Sequence, residues 1–579
     1  MTNRTTNIIA SVMILAMAVL AITSITNDSL TMDEQAHLPA GYSYLTQQDM
    51  RLNPEHPPLI KDLAAIPLLF IKNIQFPQDL KAWTQDLNGQ WDFGMNFLFK
   101  SGNPADLMIF LGRLPMILLL LILGLYLFKW TKELYGNKAS LIALFFFCLS
   151  PTFLAQGRLV TTDVGAAFGI LIATYYFLKS LYLPSNKKIL ISGIALGIAE
   201  LLKFSAILLI PSFVFYCLVW WLLKMGSFKQ TFKNLLIVFV IAFLLIWPVY
   251  QFHVWNYPQE RQAQDANQYL SGYIDAIKNP VVWMSDKPII RPYAQYLTGL
   301  LMIFNRVVGG NTTYFMGEVS NKGWRNYFPI VYLIKETLAF HLLTLIAVIY
   351  GFWFLIKAQG RKITEKISNT IKQYFSEFCM LSFIALYWLV SISGTLNIGV
   401  RHLLPAFPFT IILVSGIVAS WIKEPFLKLK QALIAILMLW QVFSIASIYP
   451  HFLAYFNELA GGPDKGYIYV VDSNLDWGQD LKRLTQWVNK KGIDKIYLDY
   501  FGGADPNYYL KDKYSGWWCE RPSFELPKGS YLAVSATFLQ NGRGKPVSDF
   551  SQAKNCYKWL DNYQPIEKIG YSIFIYRKD

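Results

Sequence analysis

The sequence predicts a polytopic α-helical membrane protein with a small α/β domain at its C-terminal end. Three observations predict it. Apolar runs long enough to cross a bilayer recur between Ile8 and Tyr449. Charged residues make up 15% of the 579-residue chain, against roughly 25% in a soluble domain, while 54% of residues are hydrophobic and mean hydropathy is +0.32. From about Pro450 the pattern changes to short strand-like runs and one amphipathic stretch.

The first apolar run, Ile8 to Ile25, is preceded only by Arg4 and ends in Ala21-Ile22-Thr23-Ser24-Ile25, a poor cleavage site, so it reads as a retained anchor. A polar stretch over 27–106 follows as a first outer loop. In it, Pro57-Pro58 should start a helix over Leu59–Ile71 whose alternating faces suit the membrane interface. Further spans are expected at Leu107–Phe128, Ala139–Ala155, Val164–Leu181, Ile189–Leu202, Phe204–Leu223, Leu235–Tyr250, Ile330–Ile356, Phe378–Ser393, Leu403–Trp421 and Ala432–Tyr449, which makes about eleven with the first. A long outer loop, 252–329, is polar and tyrosine-rich. The membrane domain is thus 1–449 and the tail domain 450–579. Within the tail, Tyr467–Val471, Lys495–Tyr500, Tyr531–Thr537 and Ser572–Tyr576 read as strands and Asp476–Asn489 as a helix.

Lys+Arg total 52 and Asp+Glu 37, a net charge of +15. The basic residues lie in short loops and form no continuous stripe, so the excess sets topology and does not point to nucleic acid. Lys129, Lys132 and Lys138 share one loop. Lys179, Lys187 and Lys188 share a second, and Lys224, Lys229 and Lys233 a third. Lys357, Arg361, Lys362, Lys366 and Lys372 lie in a fourth, and Lys423, Lys428 and Lys430 in a fifth. With an odd number of spans all five fall on the side of the N-terminus, which is therefore cytoplasmic. The protein is expected in the cytoplasmic (inner) membrane, with the polar stretch after the first span, the long loop and the tail outside. Cys148, Cys217 and Cys379 lie inside apolar runs; Cys519 and Cys556 lie in the tail and can pair if it faces an oxidising compartment.

Candidate chemistry concentrates at span ends. Thr31-Met32-Asp33-Glu34-Gln35-Ala36-His37 follows the first span, with Asn53-Pro54-Glu55-His56-Pro57-Pro58 behind it. Thr31 and Glu34 have capping-box spacing, which accounts for the acids at a helix start but not for His37, Glu55 and His56 nearby. Asp163 stands between two spans on the outer side, as a cap or as a second outward acid. Glu200 and Lys203 sit between long apolar runs, either as a self-satisfied pair at i, i+3 or as functional charges. Arg401-His402 sits at another outward turn. Lys203 and Arg401 together suit a phosphate near the outer leaflet. Asp472, Asp476 and Asp480 in the tail read as a strand end and a capped helix with a solvated face, with metal binding the lesser option.

These residues resemble a known family. Asp33-Glu34, Asn53-Pro54-Glu55-His56-Pro57-Pro58-Leu59, Thr161-Thr162-Asp163, Leu202-Lys203-Phe204-Ser205, Gly317-Glu318 with Tyr327-Phe328-Pro329, and Arg401-His402-Leu403-Leu404-Pro405 resemble the phospholipid-carrier-dependent glycosyltransferases of family 39, relatives of protein O-mannosyltransferases and aminoarabinose transferases. Asp472-Ser473-Asn474-Leu475-Asp476-Trp477-Gly478-Gln479-Asp480-Leu481 resembles a tail motif of a bacterial branch. The resemblance implies the GT-C fold and transfer of a sugar, with inversion, from a polyprenyl-phosphate donor to an acceptor hydroxyl of a protein, lipid or glycan on the outer face. By position Asp33 would be the general base and Asp163 would place donor or acceptor. Lys203 and Arg401 would hold the leaving phosphate, with His56 where the aminoarabinose branch carries a basic residue. Glu34, His37, Glu55, Glu200 and His402 would support the site or the acceptor. No cofactor and no metal are expected; a divalent cation on Asp33 and Asp163, as in related oligosaccharyltransferases, is the minority option. The rival reading is a transporter or flippase with Glu200 and Lys203 as substrate sites, against which stands the absence of an inverted hydropathy repeat.

Overall fold

The computed structural model describes residues 2–357, 363–547, 550–551 and 556–579; of the basic loop residues, Arg361 and Lys362 lie outside that set. Among the described residues, eight helices are long and apolar enough to cross a membrane, nine if one sharply bent pair counts as a span. The expected eleven differs through two elements. The run Ala105–Cys148 counts once, although Gly136 (φ 83°, ψ −172°) breaks it near the expected boundary between two spans. Asn186–Leu202, at 17 residues, is a buried helix about 26 Å long, too short for a bilayer core of ~30 Å without thinning or neighbours.

The bent pair corrects the expected straight span over Ile330–Ile356. Tyr327–Lys335 and Leu338–Trp353 meet at 113°. The cause is Lys335, a buried cation that donates to the carbonyls of Leu453 (2.8 Å), Tyr455 (2.6 Å) and Asn474 (2.5 Å), so the first helix ends where the ammonium is satisfied. The helix expected over Leu59–Ile71 is shorter, Leu59–Ala65 followed by a 3₁₀ segment Ile66–Phe70. Its polar residue Lys61 is fully buried and does not face water, whereas Ile66, Leu69 and Phe70 are exposed. The long loop 252–329 is ordered as helices Gln259–Tyr269, Asp275–Ser285 and Arg291–Gly309 and a hairpin.

Three of the four tail strands expected from sequence are present. Strands are β1 Thr313–Phe315, β2 Glu318–Ser320, β3 Ile496–Asp499, β4 Tyr514–Gly516, β5 Tyr531–Ser535, β6 Lys545–Pro546, β7 Glu567–Ile569 and β8 Ile573–Arg577. Five of them form one sheet, ordered β4-β3-β5-β8-β7, parallel from β4 to β5 and antiparallel beyond. Tyr467–Val471 is not a strand: it begins as a 3₁₀ turn, Gly466–Ile468, and only Val470 makes a bridge, to Phe315. The helix expected from Asp476 begins at Leu481 and runs to Lys490. A second sheet, β1-β2-β6, joins the long outer loop to the tail, with β2 and β6 parallel. Cys519 and Cys556 form a disulfide across 37 residues. The opening helix, the long loop and the tail therefore gather at one end of the spans.

Candidate functional site

The helix Met32–Gln47 begins where the chain leaves the first span. Its two acids diverge. Glu34 accepts from the Thr31 backbone N–H at 2.9 Å and the Thr31 hydroxyl at 3.0 Å, as the capping-box spacing anticipates. It also binds Arg113 through both oxygens, at 2.8 and 2.6 Å, fully buried. Arg113 holds the Glu34 carboxyl below its ordinary range although burial works the other way. Glu34 is thus part of the framework.

Asp33 points to the other side. Arg401 Nη1 donates to Asp33 Oδ2 at 2.7 Å and to Asp163 Oδ2 at 3.2 Å, and Lys203 Nζ donates to the other Asp163 oxygen. Four residues from four distant segments thus form one alternating chain, Asp33–Arg401–Asp163–Lys203. Burial would raise the Asp33 carboxyl, but the Arg401 guanidinium, with His37 and Arg306, outweighs it and holds the group below the usual carboxylate range. Lys203 reaches Asp163 because its backbone is extended (φ −162°, ψ 137°) immediately after the helix Asn186–Leu202. That break removes the helical i, i+3 geometry, so the self-satisfied Glu200–Lys203 pair, one of the two readings of these charges, does not form. Glu200 lies apart from the network and accepts from the Tyr296 hydroxyl at 2.9 Å.

The second motif borders the network. Glu55 pairs with Arg306, and His56 meets His37 edge-on at 5.5 Å between ring centroids. His37 Nδ1 donates to the Val160 carbonyl at 2.9 Å, and burial pushes its basicity down. Lys61 organises the loop from beneath: its ammonium donates to the Asn53 carbonyl (2.7 Å), the Asn53 side chain (2.9 Å) and the His56 carbonyl (2.8 Å). Burial pushes Lys61 down to about 7. His402 sits beside Arg401 in the 3₁₀ segment Val400–Ala406, with no hydrogen-bond partner for Nε2 among the described residues.

The tail supplies the wall that sequence reasoning missed. Arg401 lies over the Trp477 ring, its Cζ 4.3 Å from the centroid, and its Nε donates to Ser473 Oγ at 3.2 Å. Asn474 accepts from the Val400 N–H at 2.9 Å and donates to the Tyr327 hydroxyl at 2.9 Å. The N–H of Met32 donates to the Trp477 carbonyl at 3.0 Å, and that of Ser29 to the Gln479 carbonyl at 2.9 Å. Residues 472–480 therefore clamp the opening helix to the Arg401 turn. Asp476 and Asp480 are fully buried, which corrects the expected solvated face. Asp480 pairs with Arg483, which also holds Asp28 at 2.6 Å, and Asp28 accepts from Arg158 at 2.5 Å. Arg306 was also missed; its signal was a lone cation ending the amphipathic run Arg291–Gly309.

Residues 107–251 match the family model described as dolichyl-phosphate-mannose-protein mannosyltransferase. No curated protein matches the chain in sequence. Among solved structures, the protein O-mannosyltransferase Pmt1-Pmt2 complex of S. cerevisiae bound to the sugar donor is similar at 12% identity and a TM-score of 0.53, over 88% of this chain and 94% of that one. The oligosaccharyltransferase AglB of Archaeoglobus fulgidus, in complex with an inhibitory peptide and a dolichol-phosphate, aligns at 10% identity and a TM-score of 0.47, over 93% and 71%. ArnT of Cupriavidus metallidurans bound to undecaprenyl phosphate aligns at 11% identity and a TM-score of 0.31, over 98% and 97%.

Proposed function

From a chain that has the GT-C glycosyltransferase fold, we propose a membrane glycosyltransferase that moves a sugar from a polyprenyl-phosphate donor to an acceptor hydroxyl at the outer face of the cytoplasmic membrane. The observation that carries this reading is the Asp33–Arg401–Asp163–Lys203 chain at one end of the spans. Carboxylates for a proton and cations for a phosphate stand within one network, at the membrane end where a lipid-linked substrate presents its headgroup. In the resting protein the cations are neutralised by the two aspartates. A donor phosphate would compete for them, taking one donor set from Arg401 and the ammonium of Lys203, with His56 and Arg306 at its flank. That exchange frees Asp33.

In the reaction the acceptor oxygen attacks the anomeric carbon opposite the phosphate. The bond from that carbon to the phosphate oxygen breaks, its electron pair leaves on the phosphate, and the hydroxyl proton passes to Asp33 as general base. The sugar carbon inverts. Arg401 and Lys203 stabilise the charge that grows on the phosphate, where low surrounding dielectric makes such contacts strongest. Two fixed cations supply the charge a metal would bring, so turnover is proposed to need none.

The test gives purified protein a panel of radiolabelled polyprenyl-phosphate sugars with protein, lipid and glycan acceptors, beside Asp33→Asn and with and without chelator. Label should move to one acceptor class, fall about 10²-fold or more in the variant with donor binding kept, and ignore the chelator. Absence of binding to every lipid-linked sugar would return the protein to the transporter reading. Chelator-sensitive turnover would overturn the metal-free mechanism.

A further inference from the structure

We propose that Tyr296, on the long outer loop, is a positioning residue of the phosphate site: by holding Glu200 it keeps the Lys203 ammonium turned to the donor. The inference rests on the phosphate-binding role proposed above for Lys203 and extends that role to a residue outside the charged network.

The turn that carries Lys203 is not encoded by its own neighbours. Residues 199–209 read Ala-Glu-Leu-Leu-Lys-Phe-Ser-Ala-Ile-Leu-Leu, with neither Gly nor Pro, and most of them are good helix formers. Pro211 disturbs a helix only from the carbonyl four residues before it, at Ile207. Local preference would therefore carry the helix Asn186–Leu202 on through Lys203 to about Ala206. Lys203 would then stand at the i, i+3 spacing from Glu200 at which the two charges pair. The structure instead breaks the helix at Lys203, which is extended, and continues as a 3₁₀ segment, Phe204–Leu208. A break against local preference has to be held by contacts from elsewhere in the fold.

Asp163 is one such contact, accepting from Lys203 Nζ at 2.5 Å. In the proposed reaction the donor phosphate takes that ammonium, so Asp163 no longer holds the turn once the donor is bound. Tyr296 holds it in both states. Its hydroxyl donates to Glu200 Oε2 at 2.9 Å, before the break, and its ring meets the Phe204 ring edge-on after it, 5.2 Å between centroids. All three side chains are buried, and one tyrosine thus grips the chain on both sides of Lys203. The helix Arg291–Gly309 fixes Tyr296 in its turn. A Cβ on Gly299 would stand 2.2 Å from the Pro54 carbonyl oxygen and 2.9 Å from the Phe204 ring, and Arg306 near the helix end pairs with Glu55. Glu200 Oε1 has no hydrogen-bond partner among the described residues. A Glu200 released by Tyr296 is thus a buried acid without a donor, and the nearest cation along its own chain is Lys203. The Tyr296 hydroxyl keeps that acid from competing with the donor phosphate.

The experiment measures binding of undecaprenyl phosphate, and of undecaprenol, which lacks the phosphate, to the full chain in detergent. Wild type, Tyr296→Phe and the double variant Tyr296→Phe/Glu200→Gln are compared. Phenylalanine keeps the ring against Phe204 and removes only the hydroxyl. Tyr296→Phe should weaken binding of undecaprenyl phosphate about tenfold or more and leave undecaprenol unchanged. The double variant has no charge left to compete for Lys203 and should recover most of the lost binding. No loss in Tyr296→Phe, or an equal loss for both lipids, would overturn the inference, the second result marking a structural role only. A phosphate-selective loss that Glu200→Gln does not reverse would overturn it too. Failure of the broader reading looks different: the wild type itself then holds undecaprenyl phosphate no more tightly than undecaprenol.

Discussion

Asp33 and Glu34 are neighbours in the chain and opposite in use, because a helical step of about 100° turns one to Arg401 and the other to Arg113. The same contrast runs through the tail. Asp476 is fully buried, accepts from the Thr537 N–H at 2.8 Å, and has no partner for its other oxygen among the described residues. Burial pushes it up to about 8. An acid whose folded value lies above its unfolded one, near 3.8, binds more protons folded than unfolded between those values. Its contribution to stability is then present below about pH 4 and is lost as pH rises toward 8. Asp476→Asn keeps the shape and cannot ionise. The variant should match the wild type at pH 4 and exceed it by a few kcal/mol at pH 8, read from thermal or denaturant unfolding. An equal pH slope in the two proteins would show that Asp476 is not the group responsible. At this scale the sequence shows Asp33, Asp163, Lys203 and Arg401 plainly, since charges at the ends of apolar runs have few structural uses. It does not show Trp477, because nothing in a chain rich in tryptophan marks the ring that lies under the Arg401 guanidinium.

Elements are legible where one force decides them. The strands β3, β5 and β8 follow from β-branched and aromatic runs, and most spans follow from hydropathy. Those misread were decided by a distant partner. The span over Ile330–Ile356 bends because three carbonyls from elsewhere in the fold satisfy Lys335. The run Asp476–Asp480 reads as a solvated first helical turn because acids at i and i+4 share a helix face; it is instead a clamp of bends and turns whose acids are paired or buried within the tail. Gly478 shows how tightly that clamp is drawn. Its φ is 94°, and a Cβ there would stand 2.4 Å from Gly502 Cα and 2.7 Å from the Tyr500 hydroxyl. Gly478→Ala therefore meets both a forbidden backbone and backbone of a neighbouring turn that cannot move aside. It should lower the unfolding temperature by several degrees and cut transfer at least tenfold through loss of the Trp477 position, with donor specificity unchanged. Full activity in that variant would show that the clamp is not required.

At the scale of the whole molecule, the first outer loop, the long loop and the tail close over one end of the helical bundle, and β1-β2-β6 stitches the last two together. The domain boundary near residue 449 is visible in composition, but the tail is not a separable appendage: the carbonyls of Trp477 and Gln479 accept the N–H groups of Met32 and Ser29. The common end of these parts is what the charge pattern anticipates, and the positive-inside rule predicts that the basic loops away from it face the cytoplasm. The disulfide between Cys519 and Cys556 fits a tail in an oxidising compartment. It also makes the orientation easy to measure, because the remaining cysteines, Cys148, Cys217 and Cys379, are buried. A single new thiol then reports its own side. Lys528 is exposed in the tail, and Lys187 is exposed between the helices Asp163–Tyr182 and Asn186–Leu202. Lys528→Cys should react with a membrane-impermeant maleimide added to intact cells, after permeabilisation of any outer barrier. Lys187→Cys should react only once the cytoplasmic membrane is opened. The reverse pattern would put the Asp33–Arg401 network in the cytoplasm and remove the outer-face acceptor from the proposed reaction. Labelling of both thiols from outside would mean that an even number of crossings separates them, which the 17-residue helix Asn186–Leu202, too short to cross unaided, would produce by not spanning.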